Sequence, residues 1–108
     1  MTLQEFKALL LTIDPAAKHF QGPGSGDYTV WSEYDATYMV ADDNIVAITN
    51  YIQVDRFTRH EYDPMVEAIT QGLDVYEVVL RDRRTIYEPD TGYIHHIWDV
   101  EVSQWLSL

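Results

Sequence analysis

The run Ile45 to Thr58, IVAITNYIQVDRFT, contains no glycine or proline and is dominated by β-branched and aromatic residues. A single long strand is the structure such a run favours. Along it Val46, Ile48, Ile52 and Val54 fall on one face, while Ala47, Thr49, Tyr51, Gln53, Asp55 and Phe57 fall on the other. One face is plainly apolar; the mixed face, with its Tyr and Phe, predicts partial covering by a helix edge or a neighbouring chain. The strand stops at Arg59-His60-Glu61, and Asp63-Pro64 then opens a helix running to Gln71. Asp caps the free amides there, and Pro at the first helical position loses no hydrogen bond. Met65, Val66, Ile69 and Leu73 form the buried stripe of this helix, and Gly72 is expected to close it.

The segments on either side supply the rest of a sheet. Thr2-Leu3-Gln4-Glu5 has the form of a capping box, and Leu3, Phe6, Leu10 and Ile13 follow at helical spacing until Asp14-Pro15 ends the helix. Pro15 to Asp27 reads as a flexible loop, because Gly22, Pro23, Gly24, Ser25 and Gly26 deny it regular structure. Its glycine spacing is not a phosphate cradle, since no Lys-Ser/Thr follows and no helix opens after it. Tyr28 to Tyr34 alternates as a strand, whereas Tyr38-Met39-Val40 is compatible with a short strand, an edge extension or an ordered loop. Val75 to Leu80 is expected as the next strand, interrupted by Arg81-Asp82-Arg83-Arg84, with Thr85-Ile86-Tyr87 as a possible resumption. Glu88 to Gly92 is a turn by composition, and Tyr93 to Val102 is the last strand, paired with its predecessor as a hairpin. The tail from Ser103 to Leu108 holds Trp105 and Leu106, which pack on the fold or dock on a partner. The expectation is a single α+β domain over residues 1–108, with a small antiparallel sheet of about four strands and two helices packed on one face.

Charge narrows the classes of function. The formal net charge is −11, from 18 acidic and 7 basic residues. Such a field repels phosphate backbones and argues against general nucleic-acid binding. No cysteine is present, so disulfide and thiolate chemistry are excluded. The start, Met1-Thr2-Leu3-Gln4-Glu5, is not that of a secretion signal, and the apolar runs are far shorter than the roughly 20 residues a membrane helix needs. No membrane partner is expected.

Candidate chemical groups are few. His95 and His96 are adjacent on a strand, point to opposite faces and cannot chelate one ion together. Asp42-Asp43-Asn44 lacks the glycine and the final Glu of a calcium loop and reads as a turn whose side chains bond the backbone. Glu33, Asp55, Glu77 and Glu101 are expected on strands as a solvated sheet face; paired carboxylates acting as acid and base would need a cleft and a raised pKa. No nucleophile elbow is present, and neither an enzyme nor a cofactor is expected. Arg81, Arg83 and Arg84 form a basic island which, with Arg56 and Arg59, holds five of the seven cations. It is either a solvated hairpin or a docking spot for an acidic patch on the next copy of the chain. The candidate interface residues are Arg81, Arg83, Arg84, Arg56, Tyr51, Phe57 and Trp105.

From about Tyr28 to Val102 the chain resembles the small tail terminator, or tail completion, proteins of long-tailed phages, which are also labelled minor capsid or head–tail joining proteins. The resemblance rests on Asp43-Asn44, on Asn50-Tyr51 with Gln53-Val54-Asp55 and Phe57-Thr58, and on Asp63-Pro64 with Glu67. It continues through the turn Glu88 to Gly92 into Tyr93-Ile94-His95-His96. It implies a homo-oligomeric, hexameric ring in the neck and tail of a virion, assembled in the host cytoplasm. Such a ring caps the tail tube protein and offers a surface to the head–tail connector protein. The GPGSGD loop and the Arg81–Arg84 segment depart from the pattern. A head completion or neck adaptor protein is the neighbouring alternative; a small ligand-binding or enzymatic α+β domain is the more distant one.

Overall fold

A computed structural model describes residues 1–106. In chain order the elements are α1 (Leu3–Ile13), β1 (Lys18–His19), β2 (Tyr28–Ala41), β3 (Asn44–Thr58), α2 (Pro64–Gly72), β4 (Val78–Glu88) and β5 (Tyr93–Trp105). The strands form one sheet in the order β1-β2-β3-β5-β4. Every neighbouring pair is antiparallel except β1 with β2. Residues Ser107 and Leu108 of the expected tail lie outside the described residues.

Both helix starts follow from their caps. The Thr2 hydroxyl accepts from the Glu5 amide at 3.0 Å and the Glu5 carboxylate accepts from the Thr2 amide at 2.9 Å, completing the box. Asp63 accepts from the Met65 amide at 3.1 Å ahead of Pro64. The end of α2 differs from expectation. Leu73, in right-handed geometry, is the C-cap, and Gly72 is the last helical residue. A Cβ at Gly72 would collide with the Ile13 side chain. Glycine is therefore needed here for the close approach of α1 and α2, not for a left-handed turn.

The sheet also departs from expectation, with five strands and mixed pairing in place of about four antiparallel ones. The supposed loop contains β1, whose Lys18 and His19 pair in parallel with Val30 and Trp31. Two residues are too short to carry a periodic signal; His19 is held by stacking on the Trp31 ring at 3.8 Å. β2 runs on through Tyr38-Met39-Val40 to Ala41, because the hairpin with β3 continues to a two-residue turn at Asp42-Asp43. Both turn residues have positive φ, 50° and 66°, the geometry that matches strand twist. The turn reading of Asp42–Asn44 holds, with the Asn44 side-chain Nδ2 donating to the Asp42 backbone carbonyl at 3.0 Å. β4 begins at Val78, not Val75, because Leu73 to Val78 is occupied by tight turns. It then passes through Arg81–Arg84 without a break, absorbing one extra residue as a bulge between Leu80 and Asp82.

The core lies between one face of the sheet and the two helices. Trp31, Ile52, Val54, Trp98, Val100, Val102 and Val78 meet Phe6, Leu10, Ile69 and Leu73. Full burial of each large apolar side chain contributes about 1.5–3 kcal/mol, and Trp98 in addition donates its indole N–H to Thr70 at 3.1 Å. Beyond this core the β2–β3 hairpin continues as an arm: no residue from Tyr34 to Tyr51 is buried. The molecule measures 52 × 25 × 22 Å, with a radius of gyration of 15.3 Å, against about 13 Å for a compact chain of this length.

Candidate functional site

Arg56, expected at an interface, is buried and joins the two helices. Its Nε donates to Asp63 at 2.8 Å, its Nη1 lies 3.7 Å from Asp14, and the same nitrogen donates to the Thr29 hydroxyl at 3.3 Å. Asp14 is the C-cap of α1 and Asp63 the N-cap of α2. One guanidinium therefore fixes the end of one helix and the start of the next on β3. This is a correction to its expected surface position: Arg56 shares the helix-side face with Ile52 and Val54, whose neighbours bury it.

Arg83 also turns to the helix side. Its guanidinium lies 4.2 Å from the centre of the Trp98 ring, and its Nη2 donates to His96 Nδ1 at 2.9 Å. With Nδ1 accepting, the imidazole proton sits on Nε2, which is buried and has no hydrogen-bond partner among the described residues. His96 lines a cleft at the start of α2 with Glu61, Tyr62, Asp63, Pro64, Val66 and Glu67. Burial lowers the His96 pKa below its ordinary value, and the nearby Arg83 charge lowers it further. Burial likewise lowers that of Arg83.

The opposite, open face of the sheet carries an aromatic stack. Tyr28, Phe57 and His95 stack across three strands with ring centres 4.8 Å and 4.1 Å apart. His95 Nε2 donates to Asp55 at 2.7 Å, and its Nδ1 lies 3.4 Å from Glu88. Gln53 also donates to Asp55, at 2.8 Å. His95 and His96 do face opposite sides. Among the described residues no group of three or more His, Asp or Glu is arranged to hold a metal. The expected solvated row of carboxylates is not what forms. Asp55 is buried under His95, Glu33 faces the other side and binds His19 at 2.7 Å, and Glu77 precedes β4 and meets the Met1 amino group at 3.0 Å. Glu101 lies on the open face, 3.7 Å from Arg81.

Arg81 and Arg84 share this open face, so the basic island is split between the two sides of β4. Arg81 lies 4.7 Å over the Tyr51 ring, and Arg84 pairs with Asp82 at 3.0 Å. Tyr51 and Phe57 are half-buried, while Trp105, at the end of β5, is 75% exposed. The structure thus places Arg81, Tyr51 and Phe57 on one surface with Arg84, and separates Arg83 and Arg56 from them.

The strand order identifies two open edges of the sheet among the described residues. Among the described residues, the outer edge of β2 from Ser32 to Ala41 pairs with no strand, since β1 covers only Val30 and Trp31. The outer edge of β4 is likewise unpaired along its length. The exposed Tyr38, Met39 and Val40 mark the first edge; Val79, Leu80, Ile86 and Tyr87 mark the second. A further cleft of about 320 Å³ between α2 and β4 is lined by Thr70, Gln71, Leu73, Asp74, Val78, Leu80 and Trp98. Among the described residues, no helix is long and apolar enough to cross a membrane.

No protein-family model matches the chain, and no curated protein matches it in sequence. Its fold is shared with a chain of a solved structure, the virion of a native gene transfer agent particle. The TM-score is 0.66 and the identity 9%, with 96% of this chain and 89% of the other covered. Likeness at that identity is likeness of fold.

Proposed function

We propose that this chain is a virion assembly protein, a tail terminator that forms a ring on the finished tail tube and joins it to the head connector. The observation that carries the reading is the shared fold, over nearly the whole of both chains, with a chain of the virion of a gene transfer agent particle. The motifs at Asn50–Thr58, Asp63-Pro64 and Tyr93–His96 supply the finer assignment to the tail end. Three physical features support a part built to be completed by other copies. An arm without a buried residue extends from the core, two long strand edges are open, and Trp105 is left uncovered. The net charge of −11 suits a ring through which DNA passes without adhering. This reading assigns the chain no catalytic step; Asp55, His95 and Glu88 act as a brace for the open face.

Labelling purified particles with an antibody to this chain tests the reading. Several copies in a ring at the junction of head and tail are expected. Label at the tail tip, along the capsid or absent from particles would refute it.

A further inference from the structure

We propose that copies of this chain join edge to edge, the outer edge of β2 in one copy adding to the outer edge of β4 in the next, so that the sheets run on around the assembly. The proposal deepens the ring reading and rests on it. Four observations point the same way.

The first is topology. β2 and β4 border opposite sides of one sheet and run antiparallel to each other, because the order is β2-β3-β5-β4 with every step antiparallel. A neighbour placed beside the sheet in the same orientation brings β2 against β4 as an antiparallel pair, the more stable form. Such a contact uses two different surfaces of the chain. It therefore propagates head to tail and closes into a ring when the rotation per copy permits.

The second is charge. The β2 edge carries Glu33 and Asp35, its turn adds Asp42 and Asp43, and the stretch from Ser32 to Asp43 has no Lys or Arg. β4 carries Arg81, Arg83 and Arg84 against Asp82 and Glu88, a net positive strand in a chain with only 7 basic residues. Two β2 edges therefore repel, whereas a β2 edge meets net positive charge on β4.

The third is the apolar side chains each edge leaves in water. Val40 is 61% exposed on the β2 side and Tyr87 63% on the β4 side, with Met39, Val79 and Ile86 beside them. Cross-strand apolar pairs of this type stabilise sheet addition.

The fourth concerns the bulges, which ordinarily protect an edge. Here the bulge residues Tyr34 and Arg81 fold inward over the open face and contact each other. The straight stretch of β4 from Asp82 to Glu88 and that of β2 from Asp35 to Met39 are left free.

The chain has no cysteine, so introduced thiols report contacts cleanly. Thr37, Met39, Val79 and Ile86 all lie on the open-face side by register. Double variants with one cysteine on β2 (T37C or M39C) and one on β4 (V79C or I86C) are treated with a bifunctional thiol cross-linker. At least one combination is expected to give a covalent ladder beyond the dimer, while single variants stay uncross-linked. Adding Arg84→Glu to the cross-linking variant should lower the yield several-fold, and Asp35→Arg should then restore it. Dimers from a single variant would mean that an edge pairs with itself and would overturn the proposal. So would cross-links that form, in particles, only to another virion protein. Native mass spectrometry of the unmodified chain separates the two levels. Rings without any ladder would overturn the edge pairing and leave the ring reading standing; monomers without a ladder would overturn both.

Discussion

Tyr34 and Arg81, the extra residues of two bulges on opposite edges of the sheet, meet over its open face, with Arg81 Nη1 3.5 Å from the Tyr34 hydroxyl. The Tyr34 hydroxyl donates to Asp99 at 2.6 Å, and Arg81 covers the Tyr51 ring. A bulge normally disturbs one edge. Here two of them, near the same level of the sheet, tie β2 to β4 across the intervening strands.

Removing the hydroxyl tests this tie. Tyr34→Phe should cost about 1 kcal/mol, the usual net value of such a bond, and in a double-mutant cycle with Asp99→Asn most of that cost should be shared. Burial raises the Tyr34 pKa above its ordinary 10.0, and the bond to Asp99 raises it further. The associated stability is therefore fully present below pH 10 and is lost as pH rises through the folded-state value. Burial also raises the Tyr28 pKa, so phenolate absorbance against pH should show one fewer late-titrating tyrosine in Tyr34→Phe than in the natural chain.

His96 sets a dependence at the acid end. Its folded-state pKa lies below the ordinary 6.5, so the unfolded chain takes up a proton there before the folded chain does. The stability from keeping His96 neutral is complete above pH 6.5 and falls as pH drops toward the folded-state value. Urea denaturation at pH 7.5 and 5.5 should show a loss that His96→Gln reduces. Arg83→Gln, by removing the neighbouring cation, should move the His96 titration upward in an NMR experiment.

Arg56 holds two helix ends through partners as buried as itself. Arg56→Met leaves Asp14 and Asp63 as uncompensated buried charges and should cost about 3–5 kcal/mol. Arg56→Lys keeps the charge but not the geometry that reaches both carboxylates, and should recover only part of this. Chemical denaturation of the three chains reads the order directly.

Gly72→Ala should also destabilise, by about 1–3 kcal/mol, because the methyl enters the space of Ile13. Relieving the contact with Ile13→Ala should make the double variant less unstable than the sum of the two changes. Thermal melts of the single and double variants measure that coupling.

Much of the fold was legible in the sequence, and the reasons are local. Thr2/Glu5 and Asp63-Pro64 name their helix starts through backbone amides a few residues away, and alternation identifies β3 and β5 because each has one face in the core. What was hidden depends on distant partners. β1 exists because Trp31 offers an aromatic face and a backbone edge to His19. Arg81–Arg84 reads as a break because nothing local says that Arg81 is a bulge and that Arg83 has Trp98 to lie on. The basic residues looked like one island since they are neighbours in sequence; strand alternation and the bulge divide them between two faces. Arg56 looked like a surface cation because Asp14 and Asp63 reach it only after both helices have docked.

The most direct test of the account is electron microscopy of particles assembled without this chain. A tail terminator that joins tail to head predicts DNA-filled heads alongside unattached tails of irregular, excessive length. Unattached tails of normal length would move the chain to the head side of the neck, and intact particles with normal joined tails would contradict the assembly role altogether.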